Sequence, residues 1–139
     1  MQEGTNSIPG HSVVPHITQL LHSRPCKEIA ATLSLIGDKW TVLVIMLLVP
    51  GPRRFNELKR AIGGISQRML TLTLRQLERE GLVTRTLFPT IPPRVDYELT
   101  ALGRSLREPV EALGLWVLRS QDALDAARRA YDARATGEA

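Results

Sequence analysis

The stretch "ISQRMLTLTLRQLEREGL", from Ile65 to Leu82, decides the fold. Read at helical pitch it splits into two stripes. Leu70, Leu74 and Leu77 fall on one side, with Thr73 beside them. Arg68, Arg75 and Arg79 fall on the other, within about 40° of one another at about 100° per residue, and Leu72 lies among them. Ser66 is placed to cap the start of this helix and Gly81 to close it. Such a helix buries one side in a core and aims a row of guanidinium groups outward.

Immediately upstream, "RRFNELKRAI" (Arg53–Ile62) carries Phe55, Leu58 and Ile62 at helical spacing. It predicts a short helix with Arg53 and Arg54 at its start, and "GGI" is a tight turn into the arginine-bearing helix. Further upstream, "CKEIAATLSLIG" puts Ile29, Leu33 and Ile36 on one face before Gly37. Asp38 is placed to cap "KWTVLVIMLLV", which is apolar nearly all round and so predicts the buried central helix. Pro50 and Gly51 end it. Downstream the period changes to two. "LVTRTLF" (Leu82–Phe88) and "RVDYEL" (Arg94–Leu99) read as the strands of a hairpin, with "PTIPP" as a stiff tip. Thr100 caps a further helix to about Arg119, with Leu102, Leu106, Leu113, Trp116 and Val117 as its stripe and a bend at Pro109. Helical propensity continues through "DALDAARRAYDAR" and fades in "ATGEA".

Helix, helix, short helix, tight turn, longer helix, hairpin, helix is the order of a winged helix-turn-helix. The fold class is mainly α with a small β-hairpin. The expected domains are a flexible tail over residues 1–24, a winged helix-turn-helix over 25–120, and a C-terminal helix with a frayed end over 121–139. The stripe of Leu124, Ala127 and Tyr131 in that last segment is too thin to bury itself and needs a partner surface.

The bulk numbers narrow the function. A chain of 139 residues, 43% hydrophobic and 23% charged, suits one globular domain with a real core. Its longest apolar run, Val42–Val49, is too short to span a bilayer, and no membrane partner is expected. The N-terminus has no secretory pattern, and a single cysteine, Cys26, excludes an internal disulfide, so a reducing cytoplasm is the expected location. His11, His16 and His22, spaced five and six apart, do not share a helix face. No metal and no cofactor are expected. No nucleophile–base arrangement or phosphate-binding glycine loop is present, which argues against an enzyme.

Charge points elsewhere. The net charge is +4, and between Arg53 and Arg104 there are ten basic and only five acidic residues. The excess lies in this one block, the footprint of a polyanion binder. The second helix of a helix-turn-helix pair fits a DNA major groove. Arg68 and Arg75 are then placed to read guanine or clamp phosphate, with Gln67 and Thr71 on the N-terminal half and Leu72 able to touch a thymine methyl or to pack against the wing. Ser66 opens the helix, whose free N–H groups at Gln67 and Arg68 suit a phosphate. Arg53, Arg54 and Asn56 would hold the backbone at one side, and Arg85 and Arg94 are wing cations. The alternative is a winged-helix module that binds protein, its basic face merely solvated.

The segments "LSLIGDKWTVLVIMLL", "GPRRFNELKRAIGGISQRMLTLTLRQLEREGLVTR" and "PPRVDYELTALGRSL", with Trp116 beyond them, resemble the HxlR-type winged-helix transcriptional regulators of bacteria. The resemblance covers about Cys26 to Arg119. It implies a homodimer that binds double-stranded operator DNA as repressor or activator, with Ser66, Gln67, Arg68 and Thr71 at the DNA face and Pro89–Pro93 in the wing. It implies dimerisation through the first helix and the C-terminal helices. It leaves open a small-molecule effector and a ligand pocket between the dimer helices. Cys26 matches a cysteine that some members use to sense oxidants, quinones or aldehydes. Its own setting fits that role: the first turn of a helix favours a thiolate, and Arg24 and Lys27 add positive charge; the alternative is a small buried hydrophobe that only packs.

Overall fold

A computed structural model describes residues 24–137 together with Ile17, Gln19 and His22. The tail expected over residues 1–24, with His11 and His16, lies outside the described residues. The chain divides into two compact units after Asp38. The first contains α1 (Cys26–Ile36), which starts behind Pro25 and stops at Gly37, whose N–H donates to the Leu33 carbonyl at 2.7 Å. None of its residues is buried, and Leu33, expected on its core face, is 61% exposed.

The second unit holds α2 (Lys39–Leu48), β1 (Arg53–Arg54), α3 (Phe55–Ile62), α4 (Gln67–Arg79), β2 (Val83–Phe88), β3 (Arg94–Leu99), α5 (Ala101–Arg104) and α6 (Arg107–Gly137). As its composition requires, α2 is central. It buries Thr41, Val44, Ile45 and Leu48 and packs against α3, α4, α6 and β3. The core adds Leu58 from α3, Leu70, Leu74 and Leu77 from α4, Val83, Tyr97 and Leu99 from the sheet, and Val110 from α6.

The helix-turn-helix angle rests on Gly63 and Gly64, both left-handed at φ 65° and 68°, where a side chain would be strained. At the far end of α4, Gly81 (φ 76°) forms a Schellman cap. Its N–H donates to the Glu78 carbonyl at 3.0 Å, and the Leu82 N–H donates to the Leu77 carbonyl at 2.9 Å. Buried Leu77 and Leu82 are the residues whose apolar contact accompanies such a cap. Thr100 ties this cap to the next helix: its hydroxyl donates to the Gly81 carbonyl at 2.6 Å and accepts from the Gly103 N–H at 3.0 Å. A side chain at buried Gly103 would overlap the Leu82 carbonyl oxygen, so only glycine lets α5 approach the strand so closely.

Three details depart from the sequence reading. Arg53 and Arg54 do not begin the short helix; they form β1, which pairs with Tyr97 and Asp96 of β3 and makes the hairpin a three-stranded antiparallel sheet of order β1-β3-β2. The last helix does not bend at Pro109. The break comes at Ser105–Leu106, and Pro109 sits in the first turn of α6, where its missing N–H costs nothing. The last helix also runs further than expected: α6 continues through Gly137.

The expected stripe on these last helices is also less covered than predicted. Val110 is buried and Leu106 half-buried, but Leu102, Leu113, Trp116 and Val117 are exposed, as are Leu115 and Leu118.

Candidate nucleic-acid interface

The sequence of α4 dictates its rotation. Leu70, Thr73, Leu74 and Leu77 are buried against the core, and the Thr73 hydroxyl is satisfied by the Met69 carbonyl at 2.8 Å. Ser66 caps the first turn, its Oγ accepting from the Met69 N–H at 3.0 Å. With that side fixed, Gln67, Arg68, Thr71, Leu72 and Arg75 line one outward patch. Leu72 is exposed rather than packed against the wing. Arg68 and Arg75 have no ion pair or side-chain hydrogen bond among the described residues. Arg79, third in the row, is paired with Glu80 at 3.1 Å.

Two clefts flank this patch. One, of about 540 Å³, lies between α4 and the sheet and brings Gln67, Thr71 and Arg75 together with Arg85 of β2. Glu78 is the one acidic side chain lining it among the described residues. The other, of about 660 Å³, lies between the start of α3 and the wing tip, lined by Arg54, Asn56 and Arg60 on one side and residues 90–95 on the other. Phe55 and Val95 line both, so the surface is continuous from α4 to the tip. Glu57 in the second cleft belongs to the fold. It accepts from the Arg54 N–H at 2.8 Å, and that bond, with the charges of Arg54, Arg53 and Arg60, holds its carboxyl below the ordinary value.

The remaining arginines separate. Arg85 is exposed and unpaired among the described residues. The Nε of Arg53 donates to the Leu47 carbonyl at 3.0 Å, closing the last turn of α2. Arg94, expected to be a free wing cation, is held by the wing itself: it lies 3.2 Å from Asp96 and its guanidinium stacks on Phe88, 4.3 Å from the ring centroid. Arg94→Ala is therefore expected to loosen the hairpin, lowering protection of the wing amides from hydrogen exchange, while the salt dependence of DNA binding stays unchanged. A reduced salt slope with an intact hairpin would make Arg94 a phosphate ligand instead. Arg60 was not foreseen, although it follows Asn56 by four residues and so shares its helix face.

Cys26 is exposed at the first position of α1, one residue from Pro25. Among the described residues no cluster of three His, Cys, Asp or Glu side chains is placed to hold a metal, and no single helix is long and apolar enough to cross a membrane.

The profile of HxlR-like helix-turn-helix proteins matches residues 35–125, which include the whole of α2 to β3 and the surface just described. The chain belongs to the HxlR-like helix-turn-helix family. Its relatives are helix-turn-helix-type transcriptional regulators, and this protein is a DNA-binding transcriptional regulator of that type. It is 40% identical over 107 residues to the uncharacterized regulator YdeP of Bacillus subtilis, covering 75% of this chain and 84% of that protein. The HxlR-like fold also matches the redox regulator HypR in its reduced form, at a TM-score of 0.65 and 39% identity over 71% of this chain and 98% of that one. A regulator, ytfH, from Salmonella typhimurium superposes with a TM-score of 0.69 and 34% identity, covering 79% of this chain and 96% of that one.

Proposed function

We propose that this protein is a homodimeric regulator that reads an inverted-repeat operator with α4, one helix per half-site, and that Cys26 couples its binding to oxidants. The observation that carries the reading is the division of α4: its buried leucines fix the helix while Arg68, Thr71, Leu72 and Arg75 are exposed or half-exposed, with both guanidinium groups unpaired. Arg85 adds to the same surface from the wing and Arg54, Asn56 and Arg60 from α3, where phosphates bounding the groove would lie. The apolar side chains that α6 leaves exposed, and the absence of buried residues in α1, support dimerisation through these helices.

Selection from random duplexes followed by footprinting tests the reading. The selected site should have two-fold symmetry, with half-site centres roughly 10–11 bp apart or a multiple of it, because both helices must meet one face of the DNA. An asymmetric site would overturn the dimeric reading. Binding to random duplex that is insensitive to salt would favour the protein-interaction module.

The redox part rests on the exposure of Cys26 and on the likeness to HypR, a redox regulator. With one cysteine per chain, two Cys26 thiols from the two protomers would join in a disulfide, or each would pair with a small thiol. Either way two electrons and two protons pass to the oxidant for each bond formed. Hydrogen peroxide, reduced to water, is expected to lower operator affinity of the wild type and to leave Cys26→Ser unchanged. Equal operator binding by reduced and oxidised wild-type protein would remove Cys26 from the mechanism.

A further inference from the structure

The tip of the wing is built without a phosphate grip. Residues 89–93 read Pro-Thr-Ile-Pro-Pro, and the three prolines have no N–H to offer. The Thr90 N–H donates to the Phe88 carbonyl at 2.8 Å, and the Thr90 hydroxyl donates to the Pro92 carbonyl at 2.7 Å. No tip residue is charged, and the adjoining Arg94 is held by Asp96 and Phe88. At the apex stands Ile91, 102% exposed, the most exposed large apolar side chain among the described residues. Packing within the protomer makes no use of it.

Its position relative to the recognition surface gives it a use. The tip shares the larger cleft with Arg54, Asn56 and Arg60, and that cleft adjoins the one beside α4. With α4 in a major groove, the cations at the start of α3 meet a bounding phosphate strand. Beyond that strand lies a minor groove about 6 Å wide.

We propose that Ile91 is a specificity-determining residue that the wing inserts, as an apolar contact, into the minor groove flanking each half-site, where it favours A·T pairs. The inference rests on the reading of α4 as the major-groove helix. The minor-groove walls are apolar sugar edges, which suit an isoleucine. The amino group on C2 of guanine stands up from the groove floor and obstructs an inserted side chain; A·T pairs lack it. Steps such as TA also unstack readily around an apolar wedge. The prolines and the Thr90 hydrogen bonds brace the tip before DNA arrives, so little ordering is left for the moment of binding.

The test uses the full chain and the highest-affinity duplex selected from a random pool, prepared with A·T, G·C or inosine·C pairs in the flanks. Inosine·C matches G·C in the major groove but lacks the minor-groove amino group. Wild-type protein is expected to bind the G·C-flanked duplex about tenfold more weakly than the A·T-flanked one, and to recover on inosine·C. Ile91→Ser should bind the A·T-flanked duplex about tenfold more weakly than wild type, with no preference among flanks. Its salt slope should match wild type, because no ionic contact is lost. An unchanged melting temperature checks that this exposed substitution leaves the fold intact. Equal wild-type affinity for all three flanks, or a flank preference that survives in Ile91→Ser, would overturn the role of Ile91 alone. A wild-type protein that binds no duplex in a salt-dependent way would instead remove the reading of α4.

Discussion

Arg75→Ala is expected to lower affinity for the selected operator by about 1–3 kcal/mol, roughly a fivefold to 150-fold loss, while affinity for random duplex changes little. Arg75 combines the properties that a base-reading arginine needs. It lies in the middle of α4, and buried Leu74 and Leu77 leave the helix no freedom to turn it away. Its guanidinium has no ion pair to break among the described residues, so its loss removes DNA contacts rather than protein contacts. It lines both the outward patch of α4 and the cleft beside Arg85, the only arginine among the described residues that lines both. As an exposed helix residue it should leave stability within about 0.5 kcal/mol of wild type. Arg79→Ala is the internal control. Arg79 lies on the same stripe but at the last turn and beside Glu80, and an exposed pair of that kind contributes little. Fluorescence anisotropy on operator and scrambled duplexes over a salt series distinguishes the outcomes. Equal losses on both duplexes, with a salt slope smaller by about one, would make Arg75 a phosphate ligand. No loss on either would remove it from the interface.

How far the sequence foretold this surface depended on whether several local signals coincided. They did so in α4, where the Ser66 cap, the Gly81 stop and the leucine stripe fall in one register, and the structure reproduces the helix from Gln67 to Arg79. Strand β1 gave no such signal. Two residues are too few for an alternating pattern, and the strand exists only because β3, more than forty positions downstream, supplies its partner. The Arg94 pairing is legible in the sequence. Alternation puts Arg94 and Asp96 on one face of β3, and the hairpin register sets Phe88 opposite Arg94. Arg53 was not legible, because its acceptor, the Leu47 carbonyl, is a backbone group at the end of another helix. The persistence of α6 follows from its composition. Alanines and arginines from Ala126 to Ala135 are strong helix formers, and the Arg128–Asp125 pair adds support one turn apart.

Trp116→Glu is expected to raise the dimer dissociation constant by about a hundredfold or more, the size expected for truncating an interfacial tryptophan and leaving a charge in its place. The stretch Leu113–Leu118 is apolar on all sides of α6, a composition that belongs to a helix covered all round. The protomer covers one side only. Gly114 faces Met46 of α2 so closely that a Cβ there would come within 2.9 Å of its methyl carbon, and Val110, one turn earlier, is buried on the same line. Trp116, about 200° round the helix from Gly114, points away from that line and is 57% exposed, and Leu118, one turn beyond Gly114, is 71% exposed. In the dimer proposed above a second copy would supply this cover, and a carboxylate at the centre of the contact would be desolvated without a cation. Because Trp116 is already exposed in the protomer, the fold itself should survive, with a melting temperature that no longer depends on protein concentration and lies at the lower value of the monomer. Operator affinity should fall with the dimer, since a monomer holds one half-site and loses the high effective concentration of its second recognition helix. Removal of residues 121–139 deletes Leu124 and Tyr131 but leaves Leu113–Leu118 in place, so it should weaken the dimer less than the single substitution does. Sedimentation velocity across a concentration series measures both variants. A Trp116→Glu protein that sediments as an undiminished dimer would place the interface on another surface, and a truncation more damaging than the substitution would move its centre toward Tyr131.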